Sequence, residues 1–172
     1  LSDVVTLNIN TIGSADDRSN YINSLVEYLQ KYESDLDEDS KRRLKKNPLR
    51  ILDSKNPDIQ WVLSNAPSMI EQLSKNARDE FDQICSTLTK RGIKFVINPK
   101  LVRGLDYYSK IVFEWTTTEL GSQDAICAGG RYDGLVEQLG GKFCECVGFA
   151  IGLERTVPVS YTHLRAHETP AN

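Results

Sequence analysis

The spacing of apolar side chains divides this chain into a helical first half and a strand-rich second half. A β-branched run predicts a strand over residues 4–10, followed by a turn. Ser14 and Ser74 are suitable helix caps, and the apolar residues that follow each of them recur at helical spacing. This pattern predicts helices over residues 14–31 and 74–91. Between them, residues 35–47 begin with acidic and end with basic side chains, which favours a third helix because the charges complement its dipole.

Beyond residue 92 the apolar period becomes that of strands. The predicted strands cover residues 93–97, 110–117, 123–128 and 147–150, and the predicted short helices cover 133–139 and 153–157. In the second of these strands, Ile111, Phe113 and Trp115 alternate with Val112, Glu114 and Thr116. This alternation favours an antiparallel sheet with one face packed on a core and the other face lining a site.

Composition places the chain among soluble globular proteins. Of 172 residues, 40% are apolar and 26% charged, and no apolar run approaches bilayer length, so we expect a cytoplasmic protein without membrane contact. The net charge of −3 means that contact with a polyanion would need a local basic patch. Four cysteines are expected to be free thiols, and Cys144-Glu145-Cys146 lacks the second ligand pair of a metal site.

Three segments combine glycines with arginine or tyrosine. They are Arg103-Gly104-Leu105-Asp106-Tyr107-Tyr108, Gly129-Gly130-Arg131-Tyr132-Asp133 and Gly148-Phe149-Ala150-Ile151-Gly152-Leu153-Glu154-Arg155. Glycines let a ligand approach the backbone, and a guanidinium binds phosphate through parallel hydrogen bonds. The segments therefore predict a site for a nucleotide and an amino acid.

In this order and at this spacing, the three segments resemble the second half of the catalytic domain of histidyl-tRNA synthetases, a class II family. The resemblance implies an α+β fold: part of the class II antiparallel sheet with flanking helices, plus a small all-helical insertion lobe. The implied divisions are 1–12 (a strand of the catalytic sheet), 13–91 (the insertion lobe), 92–157 (half of the catalytic domain) and 158–172 (a tail).

The resemblance also implies roles for individual residues. Arg103 would contact the α-phosphate of ATP, and Arg155 would pack over the adenine ring. The histidine pocket would comprise Tyr107, Tyr108, Gly129, Gly130 and Tyr132, and Gly152 would join Arg155 in binding ATP. A phenol suits such a pocket because its hydroxyl both donates and accepts while its ring excludes water.

Each role has a structural alternative. Arg103 could pair with Asp106 across a turn, and Arg131 could anchor the chain by pairing with Asp133. One of the two adjacent tyrosines could face the core, since neighbours on a strand point to opposite faces. The paired glycines could simply form a turn.

The resemblance further implies partners: histidine, ATP with Mg²⁺ but no metal site in this chain, tRNA(His), and a second copy in a homodimer of the full-length protein. A basic cluster could contact the tRNA backbone or form a solvated helix end. It comprises Lys41, Arg42, Arg43, Lys45 and Lys46. Because the family's motifs 1 and 2, upstream carboxylates and anticodon-binding domain have no counterpart here, we expect the isolated chain to be inactive.

The tail over residues 158–172 departs from the family's pattern, in which a hydrophobic helix continues. This departure indicates a foreign or frameshifted segment. Both histidines, His163 and His167, lie in it, so their helical spacing is weak support for a metal site.

Two other functions compete with that of a synthetase. One is a synthetase-like regulatory subunit of ATP phosphoribosyltransferase, which senses histidine without activating it. The presence of Arg103 argues against it, because a sensor needs no phosphate contact. The other is a helical RNA-binding module acting alone, which rests only on the basic cluster.

Overall fold

In the computed structural model, five strands form one mixed sheet, with a long helix on one face and a helical lobe beside the other. The structure describes residues 4–105, 107–120 and 124–159. The strands are β1 (Thr6–Thr11), β2 (Phe95–Ile97), β3 (Ser109–Thr116), β4 (Ala125–Arg131) and β5 (Val147–Ile151). Their spatial order is β2-β1-β3-β4-β5, with β1 and β2 parallel and the other neighbours antiparallel. The predicted α+β class is confirmed.

The helices follow the predicted periodicity closely. They are α1 (Ala15–Gln30), α2 (Glu38–Lys46), α3 (Gln60–Ser64), α4 (Lys75–Lys90) and α5 (Leu135–Gln138). Residues 153–159 are also helical, two residues beyond the predicted end, and the rest of the predicted tail lies outside the described residues. No helix in the described part of the chain is long and apolar enough to span a membrane.

The lobe has an apolar core of its own. Tyr21, Leu25 and Leu29 of α1 are almost fully buried against residues from α2 to the short helical turn Met69–Gln72. The hydroxyl of Tyr21 donates to the carbonyl oxygen of Pro67 at 2.9 Å, and burial raises the pKa of this phenol to about 12. Burial of these side chains, each worth roughly 1.5–3 kcal/mol, stabilises the lobe.

Helix α4 packs on the sheet, although the predicted lobe, residues 13–91, includes it. Phe81 of α4 is buried against Leu7 and Ile9 of β1, and Phe113 and Trp115 of β3 pack around this cluster. The apolar stripe of α4 therefore covers the apolar face of the sheet. The opposite face of β3, which carries Glu114, is left to line a site.

Strand β4 is longer than predicted and includes both glycines. The predicted strand ends at residue 128, and a double glycine alone suggests a turn, but Gly129 pairs with Phe113 and Gly130 with Val112. A Cβ added at Gly129 would overlap the carbonyl oxygen of Gly148 on β5. The two glycines thus allow neighbouring strands and side chains to approach β4 closely, and the alternative that they simply form a turn is wrong.

A single buried carboxylate, that of Asp17, joins the first turns of α1 and α4. It accepts hydrogen bonds from the backbone N–H of Ser14 at 2.9 Å and of Ser74 at 2.7 Å, and from both serine hydroxyls. Burial raises the pKa of Asp17, but these hydrogen bonds together outweigh burial and hold the pKa below its ordinary value of 3.8. The fold therefore favours the charged carboxylate.

We expect Asp17→Ala to lower the free energy of unfolding by roughly 2 kcal/mol at neutral pH, because two helix caps are weakened at about 1 kcal/mol each. Since the folded pKa lies below the unfolded one, this contribution is complete above the unfolded pKa and is lost as the pH falls through the folded pKa. Urea denaturation at neutral pH and well below pH 3.8 measures both effects.

The control for this comparison is Asp16→Ala, which removes an exposed neighbouring carboxylate from the same helical turn. We expect it to change the free energy of unfolding by about 0.5 kcal/mol or less. If the two variants were equally stable, the double cap would not contribute as argued.

Candidate functional site

The segment leading to Arg103 is fixed on two sides. The side-chain amide of Asn10 on β1 donates to the carbonyl oxygen of Leu101 at 2.9 Å. Leu101 itself is buried beside Val112 of β3, and Val102 packs against the core of the lobe. Arg103 therefore leaves a fixed backbone over the face of the sheet opposite α4.

Across that face, the guanidinium of Arg103 meets the carboxylate of Glu114. Nη1 of Arg103 donates to Oε1 of Glu114 at 3.3 Å, and only 25% and 22% of the two side chains are exposed. Burial raises the pKa of Glu114, and the Arg103 cation only partly offsets this effect. The Nε of Arg103 is buried and has no hydrogen-bond partner among the described residues. The alternative partner, Asp106, lies outside the described residues.

Three tyrosines form an aromatic cluster over the glycines of β4 and β5. The ring centroids of Tyr107 and Tyr108 are 4.7 Å apart, and Tyr132 lies edge-on to them at 5.8 and 6.2 Å. A Cβ added at Gly130 would lie 2.9 Å from the Tyr108 ring, and one at Gly148 would overlap the Tyr132 hydroxyl. Tyr108 and Tyr132 therefore pack directly on the main chain at Gly130 and Gly148.

A cavity of about 340 Å³ opens beside the tyrosine pair and has both Tyr107 and Tyr108 in its wall. Arg18 of α1 also lines it and donates to the carbonyl oxygen of Tyr108 at 3.0 Å. Burial raises the pKa of the Tyr108 phenol, the Tyr107 hydroxyl raises it further, and Arg103 partly offsets the rise. The Arg103 cation thus acts on a group in the wall of this cavity.

A larger cavity of about 610 Å³ separates the lobe from the sheet. Its wall includes Glu114 and Arg155 from the sheet side and Asp53 and Lys55 from the lobe. The guanidinium of Arg155 donates to the carbonyl oxygen of Ala125 at 2.9 Å. Arg103 itself lines neither cavity, but it pairs with Glu114 in the wall of this one and acts on Tyr108 in the wall of the other, which places its guanidinium between the two walls.

The backbone N–H of Gly152 donates to the carbonyl oxygen of Ile126 at 2.9 Å. Gly152 directly precedes the 153–159 helix that carries Arg155. This bond fixes the start of that helix to β4.

Arg131 serves the structural role that the sequence left open. Its guanidinium forms two hydrogen bonds with Asp133, at 3.1 and 2.9 Å, and an ion pair with Glu145 at 2.9 Å. The nearly buried Asp133 also donates its backbone N–H to the hydroxyl of Ser109, which joins β4 to the start of β3. Hydrogen bonding to Asp133 raises the pKa of Arg131. The anchoring interpretation of Arg131 is confirmed.

The predicted basic cluster lies on α2, and most of its charges are paired locally. Lys41 pairs with Glu38, while Arg42 and Arg43 both pair with Asp39. Lys45 and Lys46 make no ion pair with any other described residue. None of the five basic residues is among those lining the two cavities.

Sequence reasoning missed three residues that shape this site: Asn10, Arg18 and Glu114. Only Glu114 left a signal, as a carboxylate between aromatic residues inside a strand and on its predicted site-facing side. The side chains of Asn10 and Arg18 donate to backbone carbonyl groups that lie 91 and 90 residues away in the sequence. No local pattern encodes such contacts.

Metal-binding side chains do not gather around these cavities. Within residues 4–105, 107–120 and 124–159, no three or more His, Cys, Asp or Glu residues are placed to hold an ion. All four cysteines are free thiols, as predicted, whereas His163 and His167 lie outside these ranges.

A family model and a solved structure that match this chain both come from the histidyl-tRNA synthetases. A family model described as histidyl-tRNA synthetase matches residues 18–156. The apo histidyl-tRNA synthetase of S. aureus is 31% identical, with a TM-score of 0.66, and the match covers 89% of this chain and 37% of that one.

Two further solved structures share the fold at lower identity. A histidine–tRNA ligase subunit from Alicyclobacillus acidocaldarius subsp. acidocaldarius DSM 446 is 22% identical (TM-score 0.51), with 96% of this chain and 55% of that one covered. The histidyl-tRNA synthetase of Nostoc sp. PCC 7120 is 20% identical (TM-score 0.52), with 97% and 43% covered. The chain thus spans 37% to 55% of the length of these three structures.

Proposed function

Because the chain belongs to the histidyl-tRNA synthetase family, we propose that the protein of which it forms part activates histidine with ATP and transfers it to tRNA(His). The observation that carries this proposal is the position of Arg103, between the tyrosine-lined cavity and the cavity that holds Arg155. An amino acid in the first cavity and a nucleotide in the second would meet at this guanidinium.

The chemistry of activation requires a fixed cation at this place. A carboxylate oxygen of histidine attacks the α-phosphorus of ATP, the bond to the β-phosphate breaks, and pyrophosphate leaves. Negative charge builds on the α-phosphate oxygens in the transition state, and a preorganised guanidinium stabilises it with little reorganisation. Arg103 supplies this group, and 25% of its side chain remains exposed to a ligand.

The aromatic cluster supplies recognition of the amino acid. The phenol hydroxyls of Tyr107 and Tyr108 can each donate to or accept from an imidazole nitrogen, and Tyr132 closes the cluster edge-on. Gly130 lets the ring of Tyr108 lie against the backbone of β4, and Gly129 lets β5 approach the same strand, so the two glycines support the pocket from beneath. Together these residues would form the histidine pocket.

ATP would occupy the cavity between lobe and sheet. The planar guanidinium of Arg155 can stack on adenine while its charge faces the phosphates, and Gly152 lies at the start of the same helix. Mg²⁺ would arrive with the phosphates of ATP, since Mg²⁺ in such sites is held largely by phosphate oxygens and water.

This function is tested by joining the chain to the amino-terminal half of a histidyl-tRNA synthetase catalytic domain and measuring ATP–pyrophosphate exchange. We expect exchange that depends on histidine in the hybrid and none in the chain alone. A folded hybrid that binds histidine in calorimetry but gives no exchange would contradict the proposal and favour the histidine-sensing regulatory subunit.

On the lobe, we propose that Lys45 and Lys46 carry the contact with tRNA, because the other three basic residues are already paired. Substituting both with alanine should weaken tRNA binding and reduce the slope of log affinity against log salt by about 2, one unit for each lost phosphate contact. Fluorescence anisotropy over a series of salt concentrations measures this slope. The matched control, Lys41→Ala, should change it less, and equal effects would assign the contact to the whole helix end.

A further inference from the structure

Glu114 is the residue in direct contact with Arg103, and its place on the sheet is rigid. Strand β3 is central, with β1 and β4 hydrogen-bonded on either side, and Glu114 is in register with Asn8 of β1 and Ala128 of β4. The side chain of Asn8 donates to the hydroxyl of Thr116, two residues along the same face, at 3.0 Å. The carboxylate of Glu114 therefore extends from a backbone position that is held by neighbouring strands on both sides.

The contact is poorly suited to stabilising the fold. Both side chains are largely removed from water, where desolvation can cancel the attraction of an ion pair, and 3.3 Å is long for a charge-assisted hydrogen bond. Asp53 and Asp124 line the same cavity, and their negative charges raise the pKa of Glu114 in addition to the larger effect of burial. Stability alone gives little reason for a carboxylate at this position.

Orientation gives a better reason. The backbone before Arg103 is fixed by Asn10 and by the packing of Leu101, but the long arginine side chain has several rotatable bonds. The bond from Nη1 to Glu114 fixes the far end of that side chain and leaves Nε free of protein partners in the described ranges.

We propose that Glu114 is a positioning residue, which holds the guanidinium of Arg103 between the two cavities in the orientation that meets the α-phosphate. This role rests on the proposed function and deepens it, since Glu114 itself need not touch histidine or ATP. A misplacement of a catalytic group by about 1 Å can reduce a rate by about 10²-fold. Glu114 therefore contributes to the rate of adenylate formation more than to substrate binding.

The test uses the same hybrid protein and the variant Glu114→Gln, which keeps the shape of the side chain and removes its charge. We expect kcat for exchange to fall by about 10-fold while KM for ATP and for histidine changes by about 2-fold or less. Glu114→Asp retains the charge and should recover part of the lost kcat. The matched control is Asp82→Asn, which removes an exposed carboxylate paired with Arg78 on α4, away from the walls of both cavities, and should leave kcat unchanged.

A double-mutant cycle separates this inference from the proposed function. If Glu114 acts through Arg103, adding Glu114→Gln to Arg103→Ala should cause no further loss of the residual rate. A full additional loss in the double variant, or an unchanged or raised kcat in Glu114→Gln alone, would overturn the positioning role. Normal exchange in Arg103→Ala would instead overturn the role assigned to Arg103, and the absence of histidine-dependent exchange in the unsubstituted hybrid would overturn the proposed function. These failures are therefore distinguishable.

Discussion

Arg103→Ala is expected to reduce histidine-dependent pyrophosphate exchange in the hybrid by roughly 10²–10³-fold. The substitution removes the cation that we propose meets the charge developing on the α-phosphate, and loss of one such preorganised donor typically has an effect of this size. The loss should fall mainly on kcat, because the interaction strengthens in the transition state. Steady-state exchange kinetics with varied ATP and histidine measure both parameters.

Two comparisons make this result interpretable. Arg91→Ala removes an exposed arginine that follows α4 and should leave exchange unchanged. Arg103→Lys keeps the charge but not the planar fork, so it should remain well below the unsubstituted hybrid. Thermal melting checks that each protein is folded, since Arg103→Ala leaves Glu114 without its cation. If Arg103→Ala were folded and retained normal exchange, the role assigned to Arg103 would be falsified.

Gly130→Ala is expected to lower the free energy of unfolding by about 3 kcal/mol, at the upper end of the range for overpacked positions. The added Cβ would lie 2.6 Å from the carbonyl oxygen of Ile111 and 2.9 Å from the ring of Tyr108. The carbonyl belongs to the backbone of β3 and cannot rotate away, so the strands must separate or the ring must move. Urea denaturation of the 172-residue chain measures the loss.

The control is Gly134→Ala, four residues further along. Its added Cβ would meet only the side chain of Gln138, at 3.9 Å, and its φ of −85° suits any residue. We expect this variant to be as stable as the original chain or more stable by about 0.4–1 kcal/mol, because alanine restricts the unfolded chain. Equal stability of the two alanine variants would show that the close approach at Gly130 does not matter.

Local sequence patterns predict most of the secondary structure and the two-sided character of the sheet. The cap at Ser14 forms with Asp17 as expected, and Ser74 caps α4. The alternation along β3 places Phe113 in the core and Glu114 on the opposite face. These features depend on residues within a few positions of one another, which is why the sequence alone reveals them.

Long-range contacts explain which features local sequence patterns did not predict. Gly129 and Gly130 continue β4 because β3 and β5 pair with them on either side. Two consecutive glycines in the sequence carry no sign of this pairing. Helix α4 joins the sheet because its stripe around Phe81 meets Leu7 and Ile9, more than 70 residues earlier in the chain. The same holds for Asp17, whose second cap depends on Ser74, 57 residues away.

The tyrosine rings rest on main chain at Gly130 and Gly148, and this limits how the pocket can evolve. Every replacement for glycine adds at least one carbon, and at both positions that carbon would collide with a ring or hydroxyl already in place. Neither glycine can therefore be replaced without moving a tyrosine, whereas Tyr107, Tyr108 and Tyr132 lie above the strands and are the positions at which the size of the proposed histidine pocket can change. Redesign toward a larger or smaller amino acid should begin at these aromatic residues and leave both glycines intact.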